Sequence, residues 1–148
     1  MPPHPRVIGF LGRALNHEFM AVQQYLVQSR LCTLWGMRDW ADQFAQEARE
    51  ELEHAGLLSD QLLRFGVAPS AGSLRPSRPG RDLREMLEQD QEIEVAAVEL
   101  YAEAAAFARR LRDEATATLF ARLLEDEQGH LAHLGHVLAG LRGSGHGN

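Results

Sequence analysis

Six residues could do chemistry together by type and spacing. The interval from Glu18 to Glu51 is the same as the interval from Glu94 to Glu127. Each second glutamate opens a Glu-x-x-His, as Glu51-Leu52-Glu53-His54 and Glu127-Gln128-Gly129-His130. On a helix, residues at i and i+3 share a face, so each motif presents a carboxylate beside an imidazole. Two such pairs, with one further Glu from each of two other helices, form a constellation that binds two iron or manganese ions within a bundle. Four carboxylates aimed at one core would repel and be poorly solvated, so a cationic partner is implied. One imidazole per metal with otherwise oxygen donors suits Fe or Mn, whereas zinc favours more nitrogen or sulfur. A redox metal in such a site can react with O2 or hydrogen peroxide.

These residues need long helices to carry them, and apolar spacing supplies four. One stripe runs Leu11, Leu15, Glu18, Val22, Tyr25, Ser29, and a second Trp40, Phe44, Glu47, Glu51, His54, Leu58, Leu62, Phe65. A third runs Leu83, Leu87, Asp90, Glu94, Ala97, Tyr101, Ala104, Ala108, and a fourth Phe120, Leu123, Glu127, His130, Leu134, Val137. Steps of three and four alternate, which is the signature of an amphipathic helix. Asp39, Asp82 and Asp113 read as start signals, and Gly36, Gly66 and Gly140 as stops. Helices are predicted over about 5–35, 39–65, 82–111 and 114–141, with a connecting loop 66–81 and a flexible tail 142–148. The fold class is all-α: a four-helix bundle in one domain spanning 1–148.

The chain is thus two helical hairpins of one pattern. Turns near Gly36 and near 111–113 place each single Glu level with the Glu-x-x-His of its own hairpin. Antiparallel neighbours are usually joined by 2–8 residues. The stretch from Gly66 to Gly80 holds about 15, which at roughly 3.3 Å each can cross the bundle's length. Two antiparallel hairpins joined by a long crossover are expected. Around the six residues, Tyr25 is either core packing or a redox-active neighbour, and Asp90 either a partner behind the ligands or a pore-lining acid. His17, His133 and His136 read as surface or interface residues, and Gly129 as either a site of close helix approach or a simply tolerated glycine.

Composition narrows the alternatives. The chain has 148 residues, a formal charge of −6 and one cysteine, Cys32. That excludes an intrachain disulfide framework and a zinc ribbon. An acidic chain argues against a nucleic-acid partner. No apolar run of about 18 residues exists to span a membrane, and the first residues lack a signal peptide's apolar core. A cytoplasmic protein is expected.

With these residues in view, the chain resembles the bacterioferritins of the ferritin-like superfamily from about Val7 to Val137. The likeness lies in LNHEFMAVQQY (Leu15 to Tyr25), Trp35-Gly36, the stretch around Glu51 to His54, LREMLEQD (Leu83 to Asp90) and LLEDEQGH (Leu123 to His130). The resemblance implies a ferroxidase centre in which Glu18 and His54 bind one iron, Glu94 and His130 the other, and Glu51 and Glu127 bridge. It also implies Fe(II) and O2 or hydrogen peroxide as substrates, iron storage or detoxification, and a homo-oligomer of at least two subunits. The family's haem is held by a methionine directly after the bridging Glu of helix two. Here Leu52 stands there, so no haem is expected. The positions of an inner-surface iron site carry Gln46 and Glu50, which weakens that site. The short fifth helix that lines the channels of a 24-subunit shell is not expected in LRGSGHGN, so the size of the assembly stays open. Two other functions fit the six ligands: a non-storage di-iron or di-manganese oxidase or peroxidase, and a non-enzymatic iron-carrying bundle.

Overall fold

A computed structural model describes residues 2–70, 72 and 74–144, with 142–144 described by backbone alone. Four helices follow one another: α1 (Pro5–Leu34), α2 (Arg38–Arg64), α3 (Leu83–Arg110) and α4 (Glu114–Ser144). Their ends follow from local chemistry. Pro5 opens α1 with φ already fixed, and His4 accepts from the Arg6 amide. Asp82 caps α3 by accepting from Glu85 N at 2.9 Å, and Asp113 accepts from Thr116 N at 3.2 Å at the head of α4. Asp39 is not a cap: α2 starts one residue earlier than the sequence suggested, and Asp39 lies in its first turn, beside the positive helix end. At the other end α4 continues to Ser144, past the expected stop at 141; residues 145–148 lie outside the described residues.

Two turns close the hairpins. Gly36 adopts φ +76°, a conformation glycine enters without a Cβ penalty. The matching place in the second turn is held by Arg112 at φ +60°, at a cost of about 1–2 kcal/mol for an L-residue. That turn therefore carries no glycine signal.

Contacts fix the direction of every helix. Tyr25 of α1 meets Glu94 of α3, while the earlier Glu18 meets the later Tyr101, so α1 and α3 run antiparallel. His54 meets Asp126 and the earlier Glu50 meets the later His130, so α2 and α4 also run antiparallel. Since each hairpin is itself antiparallel, α2 and α3 point the same way, and the chain between them crosses the length of the bundle. The chain is a four-helix bundle of two hairpins joined by that crossover. Glutamines of α1 hold the crossover down: Gln24 Nε2 donates to Arg78 O at 2.5 Å, Gln24 Oε1 accepts from Arg78 N at 2.8 Å, and Gln28 Nε2 donates to Pro79 O at 3.0 Å.

The core is divided in two. One apolar cluster holds Phe10, Leu11, Leu15, Leu58, Tyr101, Phe120 and Leu123; the other holds Tyr25, Phe44, Met86, Leu87, Leu134 and Leu138. Burying a Leu or Phe side chain is worth about 1.5–3 kcal/mol, so these clusters carry the stability that a charged layer inside the same bundle does not supply. That layer comprises Glu18, Glu51, His54, Glu94 and Glu127, all buried.

Candidate metal centre

The six residues converge at one level of the bundle, one from each of α1 and α3 and two from each of α2 and α4. Ligand atoms of Glu18, Glu51, His54 and Glu127 lie within 4.8 Å of one another, as do those of Glu47, Glu51, Glu94 and His130. Glu51 belongs to both groups, and Glu127 also faces both imidazoles. His54 Nδ1 lies 3.0 Å from Glu127, 3.6 Å from Glu18 and 3.9 Å from Glu51. His130 Nδ1 lies 3.3 Å from Glu51, 3.5 Å from Glu47, 3.7 Å from Glu127 and 3.8 Å from Glu94.

Each imidazole is fixed from behind. His54 Nε2 is 2.9 Å from Asp126 Oδ2, and His130 Nε2 is 2.8 Å from Glu50 Oε2. A carboxylate on one ring nitrogen sets the tautomer and aims the other nitrogen inward, the arrangement that orients metal-bound histidines. The terminal glutamates are held similarly. Tyr25 OH donates to Glu94 Oε1 at 2.5 Å, and Tyr101 OH donates to Glu18 Oε1.

What these anchors leave over is a set of inward atoms without a hydrogen-bond partner. They are Glu18 Oε2, Glu51 Oε1, His54 Nδ1, Glu94 Oε2, both oxygens of Glu127, and His130 Nδ1. A buried acceptor left unsatisfied costs about 1–3 kcal/mol, more when charged. Seven such atoms pointing at one another are stable only with protons or cations between them. The donor set, four carboxylates and two imidazoles, fits two divalent cations of the Fe or Mn type.

Without cations, protons take their place. Burial, with the Glu18 carboxylate alongside, pushes Glu51 well above the ordinary carboxylate range. Burial also raises Glu94, with Glu127 adding to it. Burial alone would raise Glu127 too, but the His130 and His54 imidazoles outweigh it and hold that carboxyl well below its usual range. Burial works against a charged His54, yet the Glu127 and Glu18 carboxylates push it up to about 10. His130 goes the same way, above its ordinary value, driven against burial by Glu127, Glu51 and Glu94.

The sequence reading missed four contributors. Tyr101, Glu50 and Asp126 follow from a shift it did not apply: the interval that carries Glu18 to Glu94 also carries Tyr25 to Tyr101 and Glu50 to Asp126. Glu47 was on the stripe of helix two, one turn before Glu51, but was not placed among the ligands. Of the two readings of Gly129, close helix approach is overturned. A Cβ there would meet nothing within 4 Å, so no helix approaches closely. Gly129 instead lines an open groove of about 440 Å³ between α2 and α4, with Glu50, Glu53, Glu125 and Asp126 on its walls. His136 is exposed and His17 half-buried, both outside the ligand groups, while the exposed His133 helps line a small cavity beside His130.

Comparison with known proteins agrees with this architecture. A family model described as a ferritin-like domain matches residues 8–144. The bacterioferritin of Rhodobacter capsulatus is 36% identical over 129 residues, covering 87% of this chain and 80% of the relative. That of Mycolicibacterium paratuberculosis is 31% identical over 134 residues, covering 90% of this chain and 84% of the relative. Among solved structures, the Rhodobacter capsulatus bacterioferritin, described with a metal-free dinuclear site and a haem iron in a crystallographic special position, superposes with a TM-score of 0.92. It is 33% identical, and the match covers 96% of this chain and 89% of that one. The chain therefore belongs to the ferritin-like domain family, and the members it is similar to are bacterioferritins.

Proposed function

We propose that this chain is a ferroxidase, taking two Fe(II) ions as substrate and oxidising them with O2 or hydrogen peroxide, in the service of iron storage or detoxification. The observation that carries the reading is the set of unpartnered inward atoms on Glu18, Glu51, His54, Glu94, Glu127 and His130, each terminal ligand braced from behind. Glu18 and His54 hold one ion, Glu94 and His130 the other, and Glu51 and Glu127 bridge. Each Fe(II) gives up one electron. O2 with two protons leaves as hydrogen peroxide, or hydrogen peroxide with two protons leaves as two waters. Protons released from Glu51 and Glu94 as the cations enter are available for that step. Asp126 and Glu50 keep the imidazoles aimed, and the phenols of Tyr25 and Tyr101 steady Glu94 and Glu18 against carboxylate rotation. Tyr25 adjoins the centre through its hydrogen bond to Glu94.

The test uses metal-free protein and anaerobic Fe(II). Two Fe(II) per chain should bind, and on admitting O2 or hydrogen peroxide they should oxidise faster than Fe(II) in buffer. Glu18→Ala should lower binding at one half and slow oxidation by roughly tenfold or more, at least the loss typical of disturbing a metal's outer shell. Absence of stoichiometric Fe(II) binding in the parent would sink the proposal. The oxygen-rich donor set accepts Mn(II) as well. A di-manganese catalyst acting on peroxide is the reading to adopt if Mn(II) alone supports turnover.

The same reading places the protein in the cytoplasm as a homo-oligomer, at least a dimer. Among the described residues no helix is long and apolar enough to cross a membrane, and the α1–α2 hairpin exposes Leu26, Leu34, Trp35, Leu52 and Leu63, apolar side chains that a second copy would cover. Haem is not expected. Leu52, half exposed on α2, offers no ligand atom where a subunit pair would hold the porphyrin. Protein produced with ample haem should show no stoichiometric Soret band, and Leu52→Met should bring one in; a full band in the parent would overturn this.

A further inference from the structure

The centre is built on a repeat, and the repeat is broken beside only one of its halves. A single shift along the chain carries Glu18 to Glu94, Glu51 to Glu127, His54 to His130 and Tyr25 to Tyr101. The same shift carries Glu47 to Leu123 and Ala14 to Asp90. These four positions each lie one turn before a ligand: Glu47 before Glu51, Leu123 before Glu127, Ala14 before Glu18 and Asp90 before Glu94. Leu123 and Ala14 are fully buried in the apolar cluster. Glu47 and Asp90 are carboxylates.

Both carboxylates adjoin the Glu94/His130 half. Glu47 Oε2 lies 3.5 Å from His130 Nδ1 and is buried without a hydrogen-bond partner. A Glu47 oxygen falls within 4.8 Å of ligand atoms of Glu51, Glu94 and His130. Next to it is a cavity of about 20 Å³ whose lining includes Tyr25, Glu47, Asp90 and His130. A space of that size holds one water. Asp90 is fully buried, and neither of its oxygens has a hydrogen-bond partner.

We infer that the two halves of the centre are unequal: Glu47 gives a divalent cation in the Glu94/His130 half an oxygen ligand that the Glu18/His54 half lacks, so that half fills first and holds its ion more tightly. The inference rests on the two-cation reading proposed above. Apart from Glu47, each half has one terminal Glu, one imidazole and a share of two bridging carboxylates. Affinity for hard cations is tuned by the charge and number of oxygen ligands, so one additional anionic donor in one half decides the order of filling. The one-water cavity gives that ion room for a water ligand, with the Asp90 carboxyl on the cavity wall. In the other half Leu123 and Ala14 supply neither charge nor acceptor. Glu47→Gln removes the charge without changing shape, and Glu47→Leu copies the residue of the other half.

The probe is Co(II), which stays divalent in air, added to the whole metal-free protein and followed by calorimetry and visible absorption. Two ions per chain should bind in two resolved steps. His130→Ala should remove the tight step and His54→Ala the weak one. Glu47→Gln and Glu47→Leu should weaken the tight step about 10–100-fold, the range seen when groups supporting a metal site are lost, so that the two steps merge. Glu47 is partly exposed, so neither variant leaves a buried hole. If the parent binds two ions in one step and the Glu47 variants leave the isotherm unchanged, the inequality is overturned while the two-cation centre stands. If the parent takes up no stoichiometric Co(II), the proposed function falls with it.

Discussion

Glu127→Gln should destabilise the metal-free protein at neutral pH by about 3–5 kcal/mol, the usual loss when one member of a buried ion pair is removed. Glu127 is fully buried and lies between the two imidazoles, 3.0 Å from His54 Nδ1 and 3.7 Å from His130 Nδ1. Its carboxyl would be raised by burial, but His130 and His54 hold it well below the ordinary range. The imidazoles respond in kind, His54 being pushed up to about 10 and His130 raised beyond its usual value. In the metal-free protein Glu127 is thus the shared counterion of two largely buried cations, and a neutral amide strands both. Glu51→Gln should behave differently. Burial and the neighbouring Glu18 carboxylate already keep a proton on Glu51, so an uncharged amide of the same shape replaces an uncharged acid. A domain of this size shifts its Tm by about 2–4 °C per kcal/mol. Glu127→Gln should therefore melt roughly 6–20 °C below the metal-free parent, with Glu51→Gln within a few degrees of it, although both variants remove a carboxylate of the proposed metal centre. Equal melting temperatures for the two variants would mean that the imidazoles are neutral and that Glu127 is not their counterion.

How much of this was legible in the residues differs from place to place. The four stripes were readable because long helices repeat every 3.6 residues and the carboxylates sit on the apolar face, where polar residues are conspicuous. Directions followed too, since a connection as long as Gly66 to Gly80 is not needed between antiparallel neighbours. Helix starts were less secure: Asp39, Asp82 and Asp113 look alike in sequence, but only the last two accept from an amide at the head of their helices. The braces behind the ligands escaped because they lie off the stripe. Glu50 and Asp126 sit one residue before Glu51 and Glu127, a position that reads as solvent-facing on an isolated helix and meets an imidazole only when α2 and α4 face each other. Tyr101 was on its stripe but reads as ordinary core, and only its hydrogen bond to Glu18 gives it a role. Gly129 misled because a glycine inside a helix suggests close packing, while here it borders an open groove.

The metal-free protein should be most stable in weakly acidic solution and lose stability steadily toward alkaline pH, whereas the metal-loaded protein should not. His54 has an ordinary pKa of 6.5 and one of about 10 in the fold. Its contribution is fully present below about 6.5 and is lost as pH rises through about 10. His130, raised likewise, acts in the same direction. Glu51 and Glu94 are also raised, so the fold holds protons that the unfolded chain gives up above about 4.5, and their contribution too falls with rising pH. Glu127 alone runs the other way: its lowered pKa stabilises above about 4.5 and is lost as pH falls through the acid range. The opposing slopes cross near the ordinary carboxylate range, so the maximum falls at about pH 4–5. Divalent cations take the place of the protons on Glu51, Glu94, His54 and His130, so binding releases protons and strengthens as pH rises. With Mn(II) held at about one hundred times its dissociation constant at neutral pH, binding adds about 2.7 kcal/mol. That increment should grow at pH 8–9 and shrink toward pH 5. Melting curves at fixed Mn(II) should therefore diverge from metal-free curves as pH increases. A metal-free Tm that held level or rose between pH 6 and 9 would mean that the imidazoles and the buried glutamates do not share protons in one layer. A gap between the two curves that stayed constant with pH would mean that the cation displaces no protons, and then it would not be bound by these six residues.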